Sequence, residues 1–386
     1  MIKLQISVVC VSEPQVPFGA SIRIMKIRES IQKSGIKFSD IQLPYITRSN
    51  FFEFESLKKI FLNIYPPFKP DSSKSTFTNM RMLQQTTFNI SLNHLIRAFR
   101  SQRPEVIIAE TSPAGWVTTL AAKKLGIPCI IDVHGLAFAE AKGWNQKDWR
   151  QTMNLEKEAF KNSDHLIVVS ERMKEYISKE FKITNKKITI APNGSDLQQS
   201  VAEFQKPLKV IYAGIFSYWE KIGDFIDIAK QANQETFRFY LAGAGPIKHQ
   251  LIERIRKEKI PISYLGYVPR QRINKLLARM QIGIAPSTKD LARQVASPIK
   301  VFDYLASGLP VITPKIGDWG EIINNEDCGI ALVDDNVESY LKALDILAQK
   351  NIWTEKSRNA ISVIEKKFSW TKVLEPITNL LLTYEK

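Results

Sequence analysis

The chain has 386 residues, more than one hydrophobic core usually serves, so two domains of roughly 150–200 residues each are expected. Hydrophobic residues make up 44% and charged residues 24%, which excludes a disordered chain, and no apolar run reaches the roughly 18–20 residues of a membrane span. The net charge of +15 is weighted to the start: residues 1–100 carry 14 Lys/Arg against 6 Asp/Glu, or +8, which favours a polyanion or an anionic membrane surface as partner.

In chain order, the apolar run Leu4–Val11 reads as a first buried strand. It is too short for a signal peptide and lacks a small-residue cleavage site, so the chain is expected to stay in the cytosol. Ile22–Gln32 is helical and closes at Ser34-Gly35. Residues 44–92 break the grammar. They mix aromatics such as Phe51, Phe54 and Phe61 with bases such as Lys58, Lys59 and Arg81. That mix suits an acceptor pocket or a membrane-facing amphipathic helix around Phe54–Ile64, and equally a helical hairpin filling a core. Then follow strand Glu105–Ala109, helix Thr118–Lys124, strand Cys129–Val133, helix Leu155–Asn162, strand His165–Val169, helix Glu171–Phe181 and strand Ile188–Ala191. Short continuous apolar strands between helices predict a parallel sheet covered on both faces.

After a candidate linker at Leu197–Pro207 the grammar repeats. Strands are expected at Lys209–Tyr212, Phe237–Leu241, Ile262–Leu265, Ile282–Ala285 and Val311–Thr313. Helices are expected at Asp224–Gln231, Pro246–Glu258, Arg272–Arg279, Ser297–Gly308 and Ser339–Ala348, with Asp334-Asp335 as the cap of the last. The three cysteines, Cys10, Cys129 and Cys328, fit neither a disulfide framework nor a zinc site and read as core residues. No metal motif, serine elbow or recognised nucleic-acid motif is present, so neither a metal cofactor nor a nucleic-acid partner is expected.

The segment Ser297–Gly308 carries the chemistry. Ser297 reads as its N-cap, Pro298 as the first helical residue and Gly308 as the left-handed C-terminal turn. Ile299, Phe302, Leu305 and Ala306 form a buried stripe, while Ser297, Lys300 and Asp303 share another face at a spacing of three. A helix start favours an anion, and Lys300 adds charge to it. Asp303 lies about 9 Å beyond Ser297, roughly the reach from a diphosphate to a ribose. A surface helix with one Lys–Asp pair has the same pattern.

Ser297–Ile312 (SPIKVFDYLASGLPVI) resembles the donor-site signature of retaining glycosyltransferases of the GT-B fold, family 4 type. Glu105–Gly135, Leu166–Ser170, Ala191–Asp196, Tyr212–Gly223, Leu241–Pro246, Tyr264–Val268, Ile282–Ser287 and Phe368-Ser369-Trp370 resemble the same family in the same order. The resemblance implies two Rossmann-like domains facing an interdomain cleft: residues 1–200 for the acceptor, 201–366 for a nucleotide-sugar donor, and a C-terminal helix, 367–386, returning to the first domain. It implies sugar transfer from a nucleotide-diphosphate sugar to the hydroxyl of a saccharide or lipid-linked acceptor. Together with the basic excess and the missing metal motifs, this leads to the expectation of transfer in the cytosol or at the inner face of a membrane, without a metal or other cofactor. It also implies roles for single residues. Gly19 would belong to a glycine loop near the donor phosphates or acceptor. Gly214 would follow the first strand of the donor domain. His134 would sit by the transferred sugar, and Lys221 and Lys300 would stabilise the leaving diphosphate. Tyr267 and Val268 would meet the base, and Ser297 and Asp303 would contact the donor.

The sequence departs from the family at two points. Ile215 stands where an arginine is frequent, and Val295 stands where the first of two carboxylates is frequent, with Asp290 and Arg293 nearby as substitutes. Two other functions share the architecture: a nucleotide-sugar 2-epimerase and a non-catalytic binding subunit.

Overall fold

The structure is a computed structural model, and it describes residues 4–10, 19–43, 76–184, 187–198 and 201–385. The proposed membrane-facing helix around Phe54–Ile64 lies outside the described residues. Residues 76–92 of that atypical segment fall in one long helix, Thr76–Gln102, whose Phe88 packs on Trp116 with ring centroids 4.5 Å apart. Gly19 is the first residue of helix Gly19–Lys33.

The first sheet contains β1 (Gln5–Cys10), β2 (Lys37–Gln42), β3 (Val106–Glu110), β4 (Cys129–Val133), β5 (His165–Val168) and β6 (Ile188–Ile190), ordered β2-β1-β3-β4-β5-β6. Every pairing is parallel. β3 and β4 are buried at all positions, which is why they read as nearly continuous apolar runs, broken only by Glu110 and Asp132, and not as alternating ones. The second sheet contains β7 (Leu208–Ile215), β8 (Phe237–Ala244), β9 (Ile262–Gly266), β10 (Ile282–Ile284), β11 (Val311–Pro314) and β12 (Gly329–Leu332). Its order is β12-β11-β10-β7-β8-β9, again all parallel. The sequence pattern does not expose β2, whose only apolar residues are Phe38 and Ile41, or β12, which is only four residues long.

Each sheet has its own core. Phe225, Phe237, Phe239, Leu305 and Leu344 lie in the second, and Ile107, Val117, Ile131 and Leu166 in the first. The last helix, Trp370–Leu382, packs on the first unit. Trp370, Val373, Leu374, Ile377 and Leu381 share a core with Ile24, Ile27 and Ile31 of helix Gly19–Lys33. Each such buried side chain contributes about 1.5–3 kcal/mol. The chain re-enters the first unit beside Gly194, where a Cβ would stand 2.4 Å from the Phe368 carbonyl oxygen; Ser195 and Ser369 then form a parallel bridge. Only glycine allows that approach.

Candidate functional site

The strands of both sheets deliver their C-terminal ends to one seam, the place where open parallel sheets bind ligands. On the second unit the seam is built around helix Ile299–Ala306. Its start differs from the sequence expectation: Pro298 holds the cap position, and no side chain caps the helix. Ser297 is instead committed across the seam. Its Oγ accepts the Asn193 N–H at 3.0 Å, and its carbonyl accepts from Asn193 Nδ2 at 2.5 Å. Gly308 does take the left-handed turn, at φ 74°.

Lys300, the second residue of the helix, is nearly buried. Its Nζ donates to Tyr212 Oη at 2.9 Å and to Glu220 Oε2, and it lies 4.5 Å from the Tyr212 ring centroid. Gly214 makes the room: a Cβ there would stand 2.9 Å from Lys300 Nζ. Glu220 also accepts Trp219 Nε1 at 3.1 Å and faces Arg293 Nη2 at 4.0 Å. Burial pushes its carboxyl up, but Lys300 and Arg293 outweigh that and hold it below the usual carboxylate range.

Asp303 is buried with both oxygens engaged. Ser195 Oγ donates to it at 2.7 Å, and Arg270 forms a fork of two hydrogen bonds to it. Arg270 opens the helix that follows Tyr267 and Val268; Tyr267 is exposed, and Val268 packs on the domain core. Lys221 is turned to the rim, with Nζ 2.6 Å from Asp224 and 3.2 Å from Asp335. Asp335 is thus drawn to Lys221 and Lys289, and the cap of helix Val337–Leu347 is Asn336, one residue later than expected. Val295 is 1% exposed and packs into the first unit's core, while its carbonyl accepts Ser170 Oγ at 2.7 Å. An apolar contact therefore occupies the place where the resemblance expects a carboxylate.

On the first unit, His134 follows β4. Its Nε2 lies 2.5 Å from Asp132 Oδ2, and its Nδ1 is buried with no partner among the described residues. Asp132 is fully buried and accepts Arg23 Nε at 2.9 Å and Nη2 at 2.8 Å. Burial pushes its carboxyl up, yet Arg23 and His134 pull it well below the usual range. The ionised carboxylate accepts from His134 Nε2, which leaves Nδ1 as the ring nitrogen open to a ligand. Arg23 continues the chain to Asn193 Oδ1 at 3.2 Å, and Asn193 reaches Ser297.

The seam therefore assembles His134, Lys300, Ser297 and Asp303, with Lys221 at its rim. Glu220, Tyr212, Arg23, Asp132, Asn193 and Arg270 are site residues that the sequence reading did not single out. Asp132 and Asn193 lie inside Asp132-Val133-His134-Gly135 and Ala191–Asp196, segments already marked by resemblance. Arg23 closes the glycine-loop run Phe18–Arg23 but carried no role of its own, and Arg270 gave no signal, because their partners are 109 and 33 residues away.

Two parallel α/β units with a polar seam at their strand ends define the GT-B architecture. Residues 68–199 match the model of Glycosyltransferase Family 4, and residues 207–350 match that of Glycosyl transferases group 1. The chain belongs to this family 4 type of glycosyltransferase and is a transferase enzyme. It is 23% identical to an Escherichia coli UDP-Gal:alpha-D-GlcNAc-diphosphoundecaprenol alpha-1,3-galactosyltransferase over 76% of this chain and 79% of that protein. It is also 23% identical to a Mycobacterium tuberculosis glycogen synthase, over 74% of this chain and 70% of that protein. Among solved structures it shares the fold of sucrose-phosphate synthase from Thermosynechococcus elongatus, with a TM-score of 0.77 at 14% identity and 99% coverage of both chains. It likewise shares the fold of Anabaena HepE in complex with UDP-glucose, with a TM-score of 0.72 at 15% identity, covering 98% of this chain and 100% of that one.

Proposed function

We propose that the enzyme transfers a sugar from a nucleoside-diphosphate sugar to the hydroxyl of a saccharide or lipid-linked acceptor, with retention at the anomeric carbon. Lys300 carries this reading. It is a buried ammonium beside the start of a helix, in a seam between two parallel sheets, and that arrangement stabilises the charge of a departing diphosphate. His134 supplies a buried ring nitrogen that would meet a sugar hydroxyl. The leaving phosphate oxygen takes the acceptor's proton, so no protein nucleophile is needed. Closure of the seam limits hydrolysis.

The E. coli relative's uridine nucleotide and lipid diphosphate make UDP-sugars and lipid-linked saccharides the first substrates to try. Cell-surface polysaccharide or glycolipid synthesis follows as the setting. The basic excess of the first hundred residues fits work at an anionic cytoplasmic membrane face. No helix among the described residues is long and apolar enough to cross a membrane.

The test is a thermal-shift screen over nucleotide sugars, followed by transfer from the labelled donor that binds. Donor binding with sugar transfer supports the reading. Epimerisation of the donor without any acceptor would replace it with the isomerase, and binding with neither transfer nor slow hydrolysis would replace it with a binding subunit.

A further inference from the structure

Lys300 and Arg293 share one counter-ion. Their side chains are 13% and 12% exposed, and Glu220, at 4%, is the carboxylate within 4.0 Å of both among the described residues. Two nearly buried cations against one carboxylate leave one positive charge without a partner, which is costly unless an anion visits. Lys300 is the satisfied member, since it donates to both Glu220 and Tyr212. Arg293 is not. Its Nε donates to Ser287 Oγ at 3.0 Å, but its Nη2 stands 4.0 Å from Glu220, beyond hydrogen-bond range.

The Arg293 backbone is held separately from this charge. Its N–H is capped by Asp290 Oδ1 at 3.2 Å, and its carbonyl accepts Trp319 Nε1 at 3.3 Å. The guanidinium is therefore presented by a fixed backbone. Lys221, the cation that the sequence points to, is already neutralised by Asp224 and Asp335, and Ile215 supplies no charge.

We propose that Arg293 is a diphosphate-binding cation of this enzyme, and that Glu220 is an internal counter-ion which holds Lys300 and Arg293 together until the donor's diphosphate replaces it. The proposal rests on the nucleotide-sugar reading above. No bond is made or broken. The diphosphate takes over hydrogen bonds that Glu220 and water hold in the empty site.

The experiment is calorimetric titration of the full chain with UDP, GDP, ADP and the matching nucleosides, for wild type, Arg293→Gln, Arg293→Lys and Glu220→Gln. Arg293→Gln is expected to weaken the diphosphate about tenfold to a hundredfold, as for the loss of one charge-assisted contact, and to leave the nucleoside unchanged. Arg293→Lys should fall between the two. Glu220→Gln should bind the diphosphate more tightly than wild type and show a larger ligand-induced rise in Tm, because a competing anion is gone. That gain is a result that a merely structural role for Glu220 would not give. Unchanged diphosphate affinity in Arg293→Gln, or weakened affinity in a folded Glu220→Gln, overturns the proposal while the transferase reading stands. Should wild type bind no nucleoside diphosphate at all, both fall together.

Discussion

Replacing Asp132 by Asn tests the buried network that links the two halves of the site. Asp132 and Arg23 are both 0% exposed, and the carboxylate receives two guanidinium hydrogen bonds and one from His134. Asparagine keeps the shape but removes the charge, and its Nδ2 must face a donor. Arg23 is then a buried cation with no anionic partner, which costs about 3–5 kcal/mol. Equilibrium urea unfolding measures this cost directly. The double variant Arg23→Met/Asp132→Leu should recover much of it, because no charge is left buried. The pH dependence has a definite sign. The folded-state pKa of Asp132 is depressed, so its contribution is complete above the unfolded value of about 4 and is lost as pH falls below that. Asp132→Asn should therefore flatten part of the wild-type acid limb. A loss below about 1 kcal/mol, with an unchanged acid limb, would refute the claim that this pair holds the site.

Gly243→Ala should cost about 2–4 kcal/mol in thermal or urea unfolding, because its φ is +140° and a Cβ would stand 1.9 Å from the Gly214 carbonyl oxygen. Gly214→Ala should fold but displace the flexible end of Lys300, and so weaken donor affinity more than stability. Lys300→Ala should lower transfer at least about tenfold, checked by steady-state kinetics on the folded variant. The thiols should be silent to iodoacetamide at pH 8 in the native protein and react in denaturant, since all are buried and burial pushes Cys10 and Cys328 up to about 12.

The doubly wound halves were legible because parallel strands buried on both faces leave nearly continuous apolar runs, as at Val106–Ala109 and Cys129–Val133. Edge strands such as Lys37–Gln42 were not, since half their positions face solvent. The helix around Lys300 was legible for the same local reasons: Pro298 at the start, Gly308 at the end and an apolar stripe between them. What surrounds Lys300 was not. Glu220 lies 80 residues before it, and only the fold brings them together. Ser297 shows the limit of local rules. It has the right chemistry for a cap, yet the nearby Asn193 backbone wins its hydroxyl. Asp303 has the right spacing for a ribose, and the fold also gives it Arg270 and Ser195.

The most direct test is transfer itself. Purified full-length enzyme is incubated with radiolabelled UDP-glucose, UDP-galactose and UDP-N-acetylglucosamine, each with and without an undecaprenyl-diphosphate-linked saccharide. The proposed mechanism requires an acceptor-dependent, chloroform-extractable labelled product with retained anomeric configuration, at least about tenfold reduced in Lys300→Ala. An inverted product, or label that moves equally well in Lys300→Ala, would contradict it.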